Sequence, residues 1–209
     1  MSPTPLATTG QPGDATTLST ETSERIAVAA LKQFSDFGIR RTSVEDIARR
    51  AGMSRATVYR NVGSKEDVIR LVMAREARHA MTELDLALAG QQDPGLSIEI
   101  GFAFLVRFVR DHPLFDRLLR SEPETLLPVL TVDGGPFLGF YSSLIADRWA
   151  DMQNTGAIAP IDLERAADAA ARLAISLVLT PSGVVDADDP DAVAKFAREV
   201  LLPMLRPRS

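Results

Sequence analysis

The sequence predicts an all-α protein in two helical parts, and three observations carry that expectation. Apolar residues recur at spacings of three and four through nearly the whole chain, which is the signature of helices that bury one face. Period-two alternation, which would mark strands, appears nowhere for more than a few residues. Glycines, prolines and capping residues cut the first third into short helices and the remainder into longer ones. The predicted division is a disordered arm over residues 1–18, a small helical unit over 19–79 and a larger helical bundle over 80–209.

The arm is rich in Thr, Pro, Gly and Ser and cannot repay the entropy of ordering. A first helix is expected from about residues 20–23, with Ile26, Ala30, Phe34 and Phe37 on one face and Gly38 as its stop. Thr42 is expected to cap a second helix, with Glu45 three residues on closing a capping box, and Gly52 ends it. A third runs from its cap Ser54 to about Asn61. The fourth is capped by Ser64, has Glu66 and Asp67 in its first turn, and carries Val68, Leu71, Val72, Leu84 and Leu88 at helical spacing. Further helices are expected over 96–111, 113–121, 122–132, 136–154, 162–180 and 191–205.

Composition narrows the function classes. A chain of 209 residues with 45% hydrophobic content can bury a core. It has no cysteine, so disulfides, thiolate zinc sites, iron–sulfur clusters and cysteine nucleophiles are excluded. His79 and His112 have no neighbouring partner at metal-binding spacing, so neither a metal nor a cofactor is expected. No apolar run reaches the roughly 20 residues of a membrane span. The first residues lack the basic start and apolar core of a secretory signal, which leads us to expect a cytoplasmic protein with no membrane partner.

The net charge of −5 hides an uneven distribution. Residues 39–65 hold seven basic side chains (Arg40, Arg41, Arg49, Arg50, Arg55, Arg60 and Lys65) against Glu45 and Asp46. That is a compact footprint for phosphates. Within it, residues 42–61 read as a helix-turn-helix. Ala48 lets two short helices touch, Gly52 makes the turn, and Ile47, Ala51, Met53, Val58 and Val62 pin both to a supporting helix, whose Phe34 and Phe37 complete the core. If Val58 points inward, Ala56 and Arg60 point outward with Thr57 and Tyr59 on the flanks. Such a face enters a major groove, with Arg55 joining from the helix start. Arg41, Thr42, Tyr59 and Lys65 complete the expected DNA contacts, most of them with phosphates; Tyr59 could instead be packing. Arg49 and Arg50 read as a solvated face.

Ala30, Leu31 and Phe34, then Gly38, residues 42–48, Ala51-Gly52, Ser54, Tyr59 and Ser64-Lys65-Glu66 resemble the TetR family of bacterial repressors. The resemblance covers about a third of the chain, with Val62 standing where the family usually has an aromatic residue. It implies a homodimer whose carboxy-terminal helices form the interface and enclose a pocket for a small-molecule effector. In the larger part, Phe102, Phe104, Phe108, Phe115, Phe140 and Tyr141 are the candidates for lining such a pocket, against the ordinary reading that they are core. The helices over 136–154 and 162–180 are apolar over wide arcs, and the second is rich in alanine. Two copies of each could form a four-helix interface about a two-fold axis, with Leu144, Arg148, Trp149, Ala170, Leu173 and Leu177 as candidates; two core helices of a monomer are the alternative. The functional expectation is a dimeric repressor of a palindromic double-stranded DNA operator, released by a small, largely apolar ligand. The alternatives are a DNA-bound protein that contacts a partner without an effector, and an enzyme, for which no catalytic constellation stands at recognisable spacing.

Overall fold

In a computed structural model, which describes residues 12–205, the chain's contacts divide after Arg75 into two units. The first is assembled on α1 (Pro12–Phe37), followed by α2 (Val44–Ala51) and α3 (Arg55–Asn61). The second contains α5 (Pro94–Arg110), α6 (Pro113–Ser121), α7 (Pro123–Leu130), α8 (Gly135–Asn154), α9 (Leu163–Leu179), α10 (Pro190–Phe196), a π-helical turn over Ala197–Leu201 and α11 (Leu202–Met204). The helix between them, α4 (Lys65–Ala87), supplies Val68 and Val72 to the first unit and Ala77, Ala80 and Leu84 to the second. Among the described residues there is no strand, and no single helix is long and apolar enough to cross a membrane.

The first unit closes over Ile26, Ala27, Ala30 and Phe34 of α1, Ile47 and Ala48 of α2, and Val58 of α3, all buried. Two glycines make this compactness possible. Gly38, at φ +86°, ends α1 with its N–H donated to the Phe34 carbonyl at 2.8 Å. Gly52, at φ +67°, turns the chain between α2 and α3, a conformation that side chains rarely tolerate. The Arg25 guanidinium of α1 donates to the Ala51 carbonyl at 3.0 Å, satisfying the end of α2.

Three expectations for this unit change. Helix α1 begins at Pro12 rather than at 20–23, because extending a helix whose second half is packed costs far less than nucleating one. The expected disordered arm therefore overlaps α1 over residues 12–18, and its first eleven residues lie outside the described ones. Phe37 is 48% exposed instead of completing the core, since it is the last residue of α1; the Arg50 guanidinium sits over its ring at 5.8 Å. Met53 and Val62 are only half-buried.

In the second unit, Ile98, Phe102 and Val106 of α5 meet Trp149 of α8, Ala167, Ala170 and Val178 of α9, and Val193, Ala197 and Leu201 near the carboxy terminus. Proline stands in the first turn of α5, α6, α7 and α10, where its missing N–H costs nothing. Two acidic side chains are buried among the described residues, Glu99 on α5 at 5% exposure and Glu122 at 6%; Glu99 accepts from Arg198 of the π-helical turn at 2.6 and 2.9 Å.

Phe34→Ala is expected to lower the unfolding free energy of the first unit by about 3–5 kcal/mol, as buried aromatics do on truncation. Phe37→Ala is expected to cost less than about 1 kcal/mol. Urea unfolding of the two variants measures the contrast.

Candidate nucleic-acid interface

The interface rests on two short helices with well-made starts. Ser43 caps α2: its hydroxyl accepts from the Asp46 N–H at 3.2 Å, and the Asp46 carboxylate accepts from the Ser43 N–H at 3.0 Å. The capping box therefore sits one residue later than the sequence suggested, with Ser43 and Asp46 replacing Thr42 and Glu45. Thr42 is instead 2% exposed, with its hydroxyl donated to the Gly38 carbonyl at 2.7 Å. Burial at the end of α1 thus takes Thr42 out of the expected phosphate contacts. The clue was the Thr-Ser doublet followed by Glu-Asp, which permits two capping boxes; only packing selects one.

Helix α3 is capped by Ser54, whose hydroxyl accepts from the Thr57 N–H at 3.1 Å. Asn61 donates to the Thr57 carbonyl at 2.7 Å near its other end. Val58 is fully buried, which sets the rotation of the helix. Arg55, Ala56, Tyr59 and Arg60 are consequently exposed, with Thr57 half-buried beside them. Tyr59 is 43% exposed and is a surface side chain rather than a core one.

The start of α4 repeats the capping chemistry. The Ser64 hydroxyl donates to the Asp67 carboxylate at 2.6 Å, and the Asp67 N–H returns a bond to Ser64 at 3.2 Å. Hydrogen bonds from Ser64 and Arg70 pull the Asp67 carboxyl down from 3.8 to about 2. Gly63 permits this, since a Cβ there would lie 2.7 Å from the Asp67 carboxylate. Lys65 follows immediately as the first residue of α4.

Charge pairing sorts the basic footprint. Arg49 is paired with Asp46 and Arg50 with Asp36, each at 2.6 Å, in keeping with a solvated face. Arg55 is paired with Glu45. Arg41, Arg60 and Lys65 make no ion pair among the described residues; Arg41 and Arg60 are exposed and Lys65 is half-buried.

The larger unit redistributes the other candidates. Phe102 is core, 6.1 Å from the Phe196 ring, and Phe115 packs against the same core. Phe104 lies 5.9 Å from Phe108, which in turn is 5.8 Å from His79 and 6.0 Å from His112. His112 Nε2 is 2.9 Å from a Glu76 carboxylate oxygen, with both side chains largely buried. Tyr141, flanked by Phe137 at 4.5 Å and Phe140 at 5.2 Å, has its phenol pushed up to about 12, chiefly by burial and then by the Glu76 charge. Glu76 escaped the sequence reading because nothing in its local context separates it from a solvated helix residue. Trp149 and Ala170 lie inside the protomer's own core, where the α9 alanines serve its contact with α8; they are withdrawn as interface candidates. Leu144, Leu173 and Leu177 are half-buried, and Arg148 is paired with Asp85.

The family model described as bacterial regulatory proteins, tetR family, matches residues 26–72. A second, for the Bacterial Tetracyclin repressor, C-terminal domain, matches residues 93–199. An uncharacterized HTH-type transcriptional regulator of Mycobacterium tuberculosis is 28% identical over 180 residues, spanning 86% of this chain and 85% of the relative. Among solved structures, the TetR family repressor AlkX from a Dietzia strain, implicated in biodegradation of n-alkanes, superposes with a TM-score of 0.66 at 22% identity, covering 87% of this chain and 96% of its own. A TetR-family regulator of Pectobacterium atrosepticum gives 0.63 at 17% identity over 92% and 97% of the two chains. RolR in complex with resorcinol gives 0.61 at 14% identity over 92% and 91%. These structural likenesses show the fold.

Because the folded value of Asp67 is depressed, the stabilisation that its carboxylate lends to the start of α4 is fully present above pH 3.8 and is lost as pH falls through about 2. NMR titration should place the Asp67 midpoint near 2, and Ser64→Ala should move it upward. An unmoved midpoint would refute the cap.

Proposed function

Since the chain belongs to the TetR family of bacterial regulatory proteins, whose members are transcriptional regulators and not enzymes, we propose that it is a homodimeric, cytoplasmic repressor released from its operator by a small molecule. The observation that carries this reading is the exposed α3 face, set outward by the burial of Val58 and flanked by outward charges at Arg41, Arg60 and Lys65. Arg60 offers a planar fork that matches guanine O6 and N7, while Ala56 and the Thr57 methyl suit thymine methyl groups. Arg41, Tyr59 and Lys65 fix register on phosphates. A second copy places a second α3 about 34 Å away, facing the next major-groove turn of a near-palindrome. The partly exposed Leu144, Leu173 and Leu177 of α8 and α9, with Arg148 beside them, are the proposed dimer contacts.

The proposed effector site centres on Tyr141 and the Glu76–His112 pair. Phe108 stands against His112 with Phe104 next to it, and Phe137 and the partly exposed Phe140 stand against Tyr141, so these polar groups with their aromatic neighbours suit a largely apolar molecule bearing a hydroxyl group. The phenol of Tyr141 stays protonated at neutral pH and can donate to it. That RolR, a protein of the same fold, was crystallised with resorcinol agrees with this class. An effector that binds better to a state with a different spacing of the two α3 helices weakens DNA binding by its difference in affinity for the two states.

Footprinting of the region around its own gene, followed by binding titrations, tests the DNA-reading part. Arg60→Ala should cost about 1–3 kcal/mol and relax selectivity at one base pair, whereas Lys65→Ala should weaken all sequences alike and reduce the salt slope by about one. Thermal shift with resorcinol and related hydroxylated aromatics tests the effector class. Stabilisation that Tyr141→Phe diminishes supports it, and the absence of any shift across the panel refutes it.

A further inference from the structure

On the reading of α3 as the DNA-facing helix, the residue that starts it is already engaged. The Arg55 guanidinium pairs through Nη1 with the Glu45 carboxylate of α2. It donates through Nη2 to the Tyr59 hydroxyl at 3.3 Å and lies over the Tyr59 ring, 5.1 Å from its centroid. All three side chains remain about half exposed, so the cluster is not a core ion pair. Exposed pairs of this kind contribute little to stability. A carboxylate on a surface that approaches DNA also repels every phosphate alike, so Glu45 lowers affinity for any sequence.

We propose that Glu45 is a positioning residue that determines specificity: it holds Arg55 flat against Tyr59 for reading one guanine and withholds it from phosphates. A guanidinium carries five N–H groups in one plane. Glu45 and Tyr59 occupy one on each terminal nitrogen, which leaves Nε–H and one more on each. Two of these suffice for the paired acceptors O6 and N7 of guanine. The ring beneath and the carboxylate beside Arg55 fix its plane before binding, so less side-chain freedom is lost on contact. To swing towards a phosphate outside this plane, Arg55 must give up these contacts. Glu45 thereby weakens non-specific binding and widens the gap between operator and random DNA. Arg60, which has no ion pair among the described residues, carries no such restraint.

The test uses the full-length protein, its footprinted operator, a set of operator duplexes with single base-pair changes and a random duplex, with fluorescence anisotropy at several salt concentrations. Glu45→Gln, which keeps the shape but not the charge, is expected to bind random DNA about tenfold tighter, with a salt slope steeper by about one. Its discrimination at a single G·C pair should fall about tenfold, while other positions keep theirs. In an Arg55→Ala background, Glu45→Gln should change discrimination no further. With Arg55 present, Glu45→Asp, which retains the charge, should keep part of the discrimination that Glu45→Gln loses. Equal urea midpoints for the variants show that the fold is intact. If Glu45→Gln keeps full discrimination at every position, or loses as much without Arg55, the positioning role is overturned while DNA reading stands. A wild-type protein that discriminates against no single change overturns the DNA-reading proposal itself.

Discussion

The complete burial of Val58 beneath α3 is the constraint on which the DNA-facing surface depends. Seven residues are too few to form a helix unaided, so α3 exists because its cap and its one sealed side chain hold it to α1 and α2. Rotating it by a single residue would bury a charged or aromatic group and expose the valine. The same contact that stabilises the unit therefore decides which α3 side chains face outward. Ser54 at the start and Asn61 near the end fix its length, so the presented face is short and well defined.

Electrostatics then acts on a surface that packing has already chosen. The chain is acidic overall, yet its basic residues gather around the short helices. Their acidic neighbours divide them into two groups. Asp36 and Asp46 neutralise Arg50 and Arg49, and Glu45 restrains Arg55. Arg41, Arg60 and Lys65 have no such acidic partner among the described residues. The carboxylates of Asp46 and Asp67 perform a different task, closing the starts of α2 and α4, where backbone N–H groups would otherwise be orphaned.

The larger unit shows how an apolar core can carry a few costly polar groups. Glu99 is matched by Arg198, and Glu76 by His112, each across helices far apart in sequence. In the first pair only Glu99 is buried, whereas both partners of the second are largely buried; for a buried pair, desolvation offsets much of the attraction. Arg198 sits in the π-helical turn and reaches the Glu99 carboxylate of α5. His112, paired with Glu76, lies near Phe108, and the Glu76 charge adds to burial in raising the Tyr141 phenol.

The sequence by itself determined the helix count of the first unit, the Gly38 and Gly52 turns, the Ser54 and Ser64 caps and the outward face of α3. These are local properties: a cap is set by residues three apart, a left-handed turn by glycine, and a helical face by a period of 3.6. It also placed the helices of the larger unit to within a few residues. What it could not decide were choices between locally equivalent options. Thr42 and Ser43 can both cap α2, and only the burial of Thr42 against the end of α1 excludes the first. Phe34 and Phe37 share a face, yet the first is fully buried and the second, the last residue of α1, is exposed. Trp149 and Ala170 suited an interface as well as a core until the α8–α9 contact claimed them. The pairing of Glu76 with His112, and of Glu45 with Arg55, joins residues whose spacing carries no signal, because such contacts arise only when tertiary packing brings separate helices together.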